Sequence, residues 1–196
     1  MTKTNAGRFF EDYAVGDVIT HAVPRTISGG ERALYHALYP ARGALYSSDA
    51  FARDCGLPAS PVDDLVTFHT VFGKTVPDVS LNAVANLGYA EGRWLRPVYP
   101  GDTLVSQSEV IGVKQNSNGK SGVVWVRTTG RNQQGEDVLS YVRWVMVRAQ
   151  YGHRHGGHHG NQRQNNGVGF DGNQCAKPDP FPGYDQGPHG KNRCPL

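Results

Sequence analysis

Two side chains that could exchange protons, Asp64 and His69, lie five residues apart in a segment predicted to be helical. A carboxylate and an imidazole are groups that enzymes commonly use for general acid–base catalysis. Five residues turn a helix through about 500°, so these side chains should point about 140° apart. We therefore expect that they do not act on one substrate together. We predict instead that His69 lines the core with its ring bonded to a backbone carbonyl.

Four histidines near the carboxy terminus have the short spacing of metal ligands: His153, His155, His158 and His159. Neutral imidazoles at such spacing suit nickel, copper or zinc. The surrounding residues offer no rigid geometry and no second shell of hydrogen bonds. We interpret any binding there as adventitious and predict no metal site.

The sequence changes character near residue 150. The formal net charge is +3, but residues 1–150 are nearly neutral, so no nucleic-acid-binding face is predicted. Beyond residue 150 there is no Ile, and Val168 and Leu196 are the one Val and the one Leu. Such a segment cannot bury enough apolar surface to offset its ordering entropy. We predict a folded domain over residues 1–150 and a disordered Gly/His/Pro-rich tail over residues 151–196. The tail has no repeat, which favours an out-of-frame origin over a biological low-complexity segment.

Cysteine usage and apolar runs indicate the compartment. Cys55, Cys175 and Cys194 are odd in number and form no disulfide framework. The first residues lack the apolar core of a signal peptide, and no run approaches the roughly 20 apolar residues of a membrane helix. We expect a cytoplasmic protein with no membrane partner.

The predicted elements place Asp64 near the start of a buried helix. Ser60 before Pro61 suits an N-cap and a first turn, and Gly73 is predicted to end this helix. The residues between are apolar nearly all round, which is typical of a buried helix. Before it we predict a strand over residues 18–27, a helix capped by Ser28 and a short helix capped by Ser47 or Ser48.

Four predicted strands follow that helix, over residues 81–96, 103–115, 122–131 and 138–147, with turn-rich junctions. One helix followed by consecutive antiparallel strands predicts an α+β fold with a meander.

The junction Tyr99-Pro100-Gly101-Asp102 carries the most specific wording. Pro100 presets φ, Gly101 tolerates positive φ, and Asp102 can accept hydrogen bonds from nearby backbone amides. The stretch WLRPVYPGDTL resembles a signature of MaoC-like hydratases, which act on acyl-CoA thioesters in a hotdog fold, an antiparallel sheet wrapped around a central helix. The phrases FFEDY, VPRTISGGERALY and LVTFHTVFGKTVPDVSLNAVANLGYAEGR resemble the amino-terminal half of its mesaconyl-CoA hydratase (β-methylmalyl-CoA dehydratase) branch.

The resemblance covers residues 9–148 and implies a hydro-lyase that acts on a C=C bond conjugated to a CoA thioester, with no further cofactor. In that family an Asp and a His five residues later, in an Asp-x-Asn-x-x-His pattern, act on water and the α-carbon. Ala41 and Tyr46 stand at these two positions here, and neither can perform this chemistry at neutral pH. Double-hotdog members can carry the dyad in the second domain. The resemblance therefore implies that this chain is a non-catalytic amino-terminal half.

The resemblance also suggests roles for four side chains, each with a structural alternative. Asp64 lies where relatives place an oxyanion-hole amide, although helix capping explains it equally well. The Tyr46 hydroxyl could position a thioester or a substrate carboxylate, or simply pack in a loop. Arg93 and Arg96, on either side of Trp94, could bind CoA phosphates or belong to a solvated strand face.

Three functions remain open on the sequence: half of an acyl-CoA hydratase, a non-catalytic acyl-CoA-binding hotdog module, and a hotdog thioesterase in which Asp64 drives water onto the thioester. Hotdog domains normally pair. A lone half would expose an apolar face, so we expect a homodimer or pairing with a second hotdog domain of a full-length protein.

Overall fold

A five-stranded antiparallel sheet packs around one long helix in the computed structural model, which describes residues 7–40 and 43–150. The elements are β1 (Val18–Thr26), α1 (Gly29–Leu38), α2 (Ala44–Ser47), α3 (Asp49–Asp54), α4 (Asp64–Thr75), β2 (Ala83–Trp94), β3 (Thr103–Gln115), β4 (Ser121–Arg131) and β5 (Asp137–Arg148). A 3-10 turn at Phe10–Asp12 precedes β1, and a π-helical turn at Val76–Ser80 follows α4. The α+β class and the helix-in-sheet arrangement are confirmed.

The strand order is β1-β3-β4-β5-β2, and every neighbouring pair is antiparallel. Only β3, β4 and β5 form a meander, because β2 pairs with β5 and lies at the edge of the sheet. The predicted four-strand meander is therefore wrong. The strands on either side of the 95–102 connection pair with different neighbours, since those eight residues are long enough to cross from one part of the sheet to another.

The predicted turn within that connection is confirmed. The Asp102 N–H donates to the Tyr99 carbonyl at 3.0 Å, and the Asp102 carboxylate accepts from the Tyr99 N–H at 2.8 Å. Gly101 has φ of 102°, a conformation that side chains rarely adopt. Its N–H donates to the carbonyl of Ile27 at 2.7 Å, so this turn is attached to the end of β1.

The start of α4 differs from its prediction. Asp63 rather than Ser60 caps the helix, since its carboxylate accepts from the Leu65 N–H at 2.8 Å. Long-range bonds hold the preceding residues extended: the Ser60 N–H donates to Asp49 at 3.0 Å, and the Val62 N–H donates to the Val98 carbonyl at 2.8 Å. These bonds compete with helix formation.

The end of α4 and its burial also differ from prediction. The helix passes through Gly73 and reaches Thr75. It is not buried all round, because Leu65 is 47% exposed while Val66 and Val71 face the core. By contrast, the capping box of Ser28 and Glu31 is confirmed, as is the Ser48 cap of α3.

No helix within residues 7–40 and 43–150 is long and apolar enough to cross a membrane. The predicted disordered tail, with its histidine cluster and two of the cysteines, lies outside the described residues.

Candidate functional site

An apolar cleft of about 290 Å³ opens between the amino-terminal half of α4 and the edge strand β2. It is lined by Leu65, Phe68, Tyr89, Ala90, Gly92, Trp94, Leu139 and Tyr141. The pairing of β2 with β5 shifts register at three places, and such bulges increase the local twist of a strand. Towards its end β2 returns to α4, where the Trp94 indole N–H donates to the Asp64 carbonyl at 2.9 Å. The cleft therefore begins at the amino-terminal end of α4.

Asp64 and Tyr46, two of the predicted site residues, meet at this end of α4. The Tyr46 hydroxyl lies close enough to the Asp64 carboxylate for each group to affect the pKa of the other. Loss of solvent raises the pKa of Asp64 above its usual value; the Tyr46 hydrogen bond opposes that rise, and the Asp63 charge adds to it. Burial likewise raises the pKa of Tyr46, so the phenol keeps its proton at neutral pH. Ala41, at the other expected dyad position, lies outside the described residues.

A second tyrosine–carboxylate pair, which the sequence did not indicate, lies beside the first. Burial raises the pKa of Tyr35, on α1, as do the charge of Asp63 and a hydrogen bond to it. Asp63, which caps α4, thus also lies near the Tyr35 hydroxyl of α1. In the sequence, Tyr35 belongs to the apolar stripe of a predicted helix, which gives no reason to expect a carboxylate beside it.

The backbone amides of the first turn of α4 are mostly occupied. The N–H groups of Leu65, Val66 and Thr67 donate to oxygen atoms of Asp63. The N–H of Asp64 has no acceptor among the residues that the structure describes. It is therefore free to donate to a ligand carbonyl, the role that the resemblance gives to an amide at this place.

His69 occupies a different environment from the one predicted. It is exposed and lines a second cleft of about 230 Å³ between α1 and α4, beside Leu34 and Tyr35. Its ring contacts Phe68 edge-on at 5.8 Å, and it has no hydrogen bond within the described residues. The prediction of a core-lining, carbonyl-bonded histidine is wrong, because this face of α4 is turned towards a gap beneath α1. Asp64 and His69 do not converge.

Arg93 and Arg96 are both exposed. Arg93 lies near the end of β2, opposite Ser140. Arg96 lies beyond the strand, which ends at Trp94, and it pairs with Glu136 at 3.5 Å. Placing Arg96 on the strand was therefore wrong. Contact of either arginine with CoA phosphates stays a prediction.

A fully buried arginine, Arg143, lies behind the aromatic residues that line the cleft. The Arg143 guanidinium stacks over Phe72 at 4.8 Å from the ring centre, and its Nη2 donates to the Thr75 hydroxyl at 3.1 Å. Burial lowers the pKa of Arg143, whereas nearby tyrosines raise it. Arg143 was not among the predicted site residues, although a charge inside the apolar run YVRWVMV was a usable signal.

Another buried polar group resembles a nucleophilic triad. His21 Nδ1 lies 2.8 Å from Asp78 Oδ2, and its Nε2 lies 2.8 Å from the Ser108 hydroxyl. Ser108 is completely buried and shares a hydrogen bond of 2.8 Å with Thr128. None of these side chains lines either cleft, so the group has a structural role: it links β1, β3, β4 and the π-helical turn. Burial lowers the pKa of His21, although Asp78 opposes that shift.

Comparisons with a family model and with known proteins point to the same family. A family model described as mesaconyl-CoA hydratase matches residues 1–190. A mesaconyl-CoA hydratase of Cereibacter sphaeroides is 81% identical over 146 residues, which make up 74% of this chain and 43% of that protein. The chain thus spans less than half the length of that relative.

Solved structures agree on the fold. A MaoC domain protein dehydratase from Chloroflexus aurantiacus matches with a TM-score of 0.73 and 59% identity, over 76% of this chain and 43% of that one. A Mycobacterium tuberculosis protein with a double hotdog fold matches with a TM-score of 0.68 and 24% identity, over 91% of this chain and 53% of that one. The predicted hotdog fold is confirmed.

Proposed function

Because the chain belongs to the mesaconyl-CoA hydratase family, we propose that it is the amino-terminal hotdog half of an acyl-CoA hydro-lyase. The reaction would be the reversible addition of water to the C=C bond of mesaconyl-CoA, which gives β-methylmalyl-CoA. One observation carries the proposal: an apolar cleft begins at the end of α4 where Asp64 offers a free amide and a carboxylate paired with Tyr46. A thioester requires a donor at its carbonyl and an apolar wall along its acyl chain.

In this proposal the chain binds and orients the substrate, and the missing acid–base dyad comes from a second hotdog domain. The Asp64 N–H would donate to the thioester carbonyl, and Leu65 and Phe68 would exclude water from the acyl group. Tyr46, which stays protonated, would hold the Asp64 carboxylate in place and could not replace the family's histidine as a base. His69 would take no part, because it lines the other cleft.

The edge of the sheet suggests where the second domain would dock. Several large apolar side chains of β2 and the residue after it are exposed: Val84, Leu87, Tyr89, Trp94 and Leu95. An edge strand with exposed apolar side chains favours association. We propose that this face pairs with a second hotdog domain, either of the full-length protein or of a second copy. A cytoplasmic location is also proposed, since Cys55 is an exposed free thiol.

Complementation tests the proposal. The purified 196-residue chain would be incubated with mesaconyl-CoA, alone and with the separately produced carboxy-terminal part of the Cereibacter sphaeroides hydratase. We expect the chain alone to bind the thioester without turnover, and the mixture to form β-methylmalyl-CoA. Full turnover by the chain alone would contradict the division of labour. Absence of both binding and complementation would contradict the hydro-lyase assignment.

A non-catalytic acyl-CoA-binding module is the second candidate, favoured by Tyr46 at the expected dyad position. Binding of mesaconyl-CoA without complementation by any second domain would support it. Release of free CoA in the same assay would instead indicate the thioesterase alternative, with Asp64 activating water.

A further inference from the structure

We infer that the deep end of the apolar cleft recognises the distal carboxylate of a dicarboxylic acyl-CoA, through the hydroxyls of Tyr141 and Tyr89 backed by the Arg143 guanidinium. The inference rests on the proposed function and deepens it, since it assigns the selection of a charged acyl group to side chains of this chain. The lining of the cleft is largely apolar, which by itself would suit a neutral acyl group equally well.

Arg143 carries a buried charge that no acidic side chain compensates. Arg143 is 0% exposed, and its Nε and Nη1 atoms have no acceptor among the described residues. No carboxylate within the described part of the chain lies at ion-pair distance from it. A buried cation without a counter-charge is strongly unfavourable, so an anion is the ligand that this position would stabilise.

The hydroxyl of Tyr141 lacks a well-formed hydrogen bond. The residue is 1% exposed, its ring lines the cleft, and its oxygen has no partner of normal hydrogen-bond geometry among the described residues. The hydroxyls of Thr128 and Thr75 lie close enough to lower its pKa, which burial raises. The mouth of the cleft is far more open, since Leu65 is 47% and Trp94 42% exposed. The Tyr141 hydroxyl therefore lies at the deep end. Buried hydroxyls normally have a partner, and a bound carboxylate would supply one.

Tyr89 supplies a second hydroxyl. It lies opposite Arg143 in the pairing of β2 with β5, so the two side chains share one face of the sheet. The Tyr89 oxygen accepts from the Asn86 amide. A phenol oxygen that accepts a hydrogen bond keeps its own O–H, which can donate to an anion.

The aromatic rings connect these groups into one wall. Phe68 contacts Tyr141 at 5.1 Å and Tyr89 at 5.5 Å, and Phe72 lies between Phe68 and Arg143. A carboxylate at the two hydroxyls would thus lie on the near side of this wall with the guanidinium on its far side. The charge would act through the rings, a medium of low polarity in which electrostatic interactions are stronger than in water.

The cleft, of about 290 Å³, suits a short diacid. Leu139 and Tyr141 both line it and stand two residues apart on β5, a backbone separation of about 6.6 Å. In mesaconyl-CoA three carbon–carbon bonds of about 1.5 Å separate the thioester carbon from the carboxylate carbon, a span of about 4 Å. Both ends of the acyl group therefore fit within the span of these two residues. A neutral acyl group of the same length would leave the Tyr141 hydroxyl unpaired, which disfavours it.

Calorimetric titration of the full 196-residue chain tests the inference. The two probes are mesaconyl-CoA and 2-methylcrotonyl-CoA, in which a methyl group replaces the carboxylate. We expect the wild-type chain to bind mesaconyl-CoA at least tenfold more tightly, in line with a hydrogen bond to a charged group. Tyr141→Phe, which removes only the hydroxyl, should weaken mesaconyl-CoA binding about tenfold and leave 2-methylcrotonyl-CoA binding unchanged.

Two controls separate recognition from folding. Tyr39→Phe removes an exposed hydroxyl outside the cleft and should change neither affinity. Tyr89→Phe should also weaken mesaconyl-CoA binding, but by less than Tyr141→Phe does. This variant is used in place of a substitution at Arg143, because removing that buried side chain could prevent folding. Equal binding of both thioesters by the wild-type chain, or equal weakening of both by Tyr141→Phe, would overturn carboxylate recognition and leave acyl-CoA binding intact. Failure of both thioesters to bind would overturn the proposed function, and the inference with it.

Discussion

The two ends of α4 both carry ionisable side chains, but they differ in their access to a ligand. At its start, Tyr46, Asp63 and Asp64 form a partly exposed group beside the mouth of the cleft. Beyond its end, His21 and Asp78 form a hydrogen-bonded pair whose imidazole is 2% exposed. Both ring nitrogens of His21 have hydrogen-bond partners at 2.8 Å. Accessibility rather than geometry therefore identifies the functional end.

Perturbed pKa values occur at both ends and also fail to separate them. Burial raises the pKa of Asp64 and lowers that of His21, because loss of solvent disfavours the charged form of each group. Such shifts accompany functional sites and structural networks alike. In this protein the apolar cleft beside Asp64 is the feature that makes its shift relevant to chemistry.

The largest expected effect comes from the buried end. His21→Ala should lower the free energy of unfolding by about 3 kcal/mol, because it leaves a cavity and unpairs the Asp78 carboxylate and the Ser108 hydroxyl. The matched variant is His69→Ala, which removes an exposed ring and should cost less than about 0.5 kcal/mol. Denaturant unfolding measures both. Equal losses would remove the distinction between the two histidines.

A substitution at the start of α4 should instead affect activity more than stability. Tyr46→Phe deletes the hydroxyl that holds the Asp64 carboxylate and should lower kcat/KM of the complemented hydratase about tenfold, with unfolding changed by less than about 1 kcal/mol. Tyr39→Phe is the control, since Tyr39 is exposed at the end of α1, just after its last residue. A Tyr46→Phe protein with normal kcat/KM would show that the pair only supports the loop.

The contributions of the two ends of α4 to stability should change in opposite directions with pH. The folded-state pKa of His21 is depressed, so its contribution is complete above the unfolded value near 6.5 and is lost as the pH falls towards the folded value. The folded-state pKa of Asp64 is raised, so its contribution to stability decreases as the pH rises from 3.8 through the folded value. Unfolding midpoints measured from pH 7.5 down to about pH 5 report the contribution of His21 to stability. His21→Gln should flatten this slope, and an unchanged slope would contradict the assignment.

The smallest expected effect concerns the exposed arginines. Arg96→Ala breaks a surface ion pair with Glu136 and should change unfolding by less than about 0.5 kcal/mol. If Arg93 and Arg96 meet the phosphates of CoA, the double alanine variant should weaken acyl-CoA binding a few-fold at low salt and less at high salt. Binding that is independent of both substitutions and of salt would assign these residues to a solvated face.

Local chemistry predicted those parts of the fold that depend on neighbours in sequence. The capping box of Ser28 and Glu31 and the turn at Asp102 use partners three residues away, so their spacing was sufficient. Strand limits were likewise predicted to within two residues because alternating burial is a local pattern. The meeting of Tyr46 with Asp64 was not predictable, since 18 residues separate them.

Errors arose where distant parts of the chain compete with a local signal. Ser60 failed as a helix cap because Asp49 and Val98 hold residues 60–62 extended. The position of His69 was misjudged because no local pattern shows that α1 leaves a gap over that face of α4. Arg143 was overlooked since its strand was classified by its apolar neighbours.

The sequence by itself determined the element types, the turn at Gly101 and the absence of a His at position 46, because each depends on residue identity and short-range spacing. Only the tertiary structure decided that β2 pairs with β5, that Tyr46 reaches Asp64, and that Arg143 lies sealed behind the cleft. Burial and long-range pairing depend on how distant segments pack, and no short window of residues contains that information.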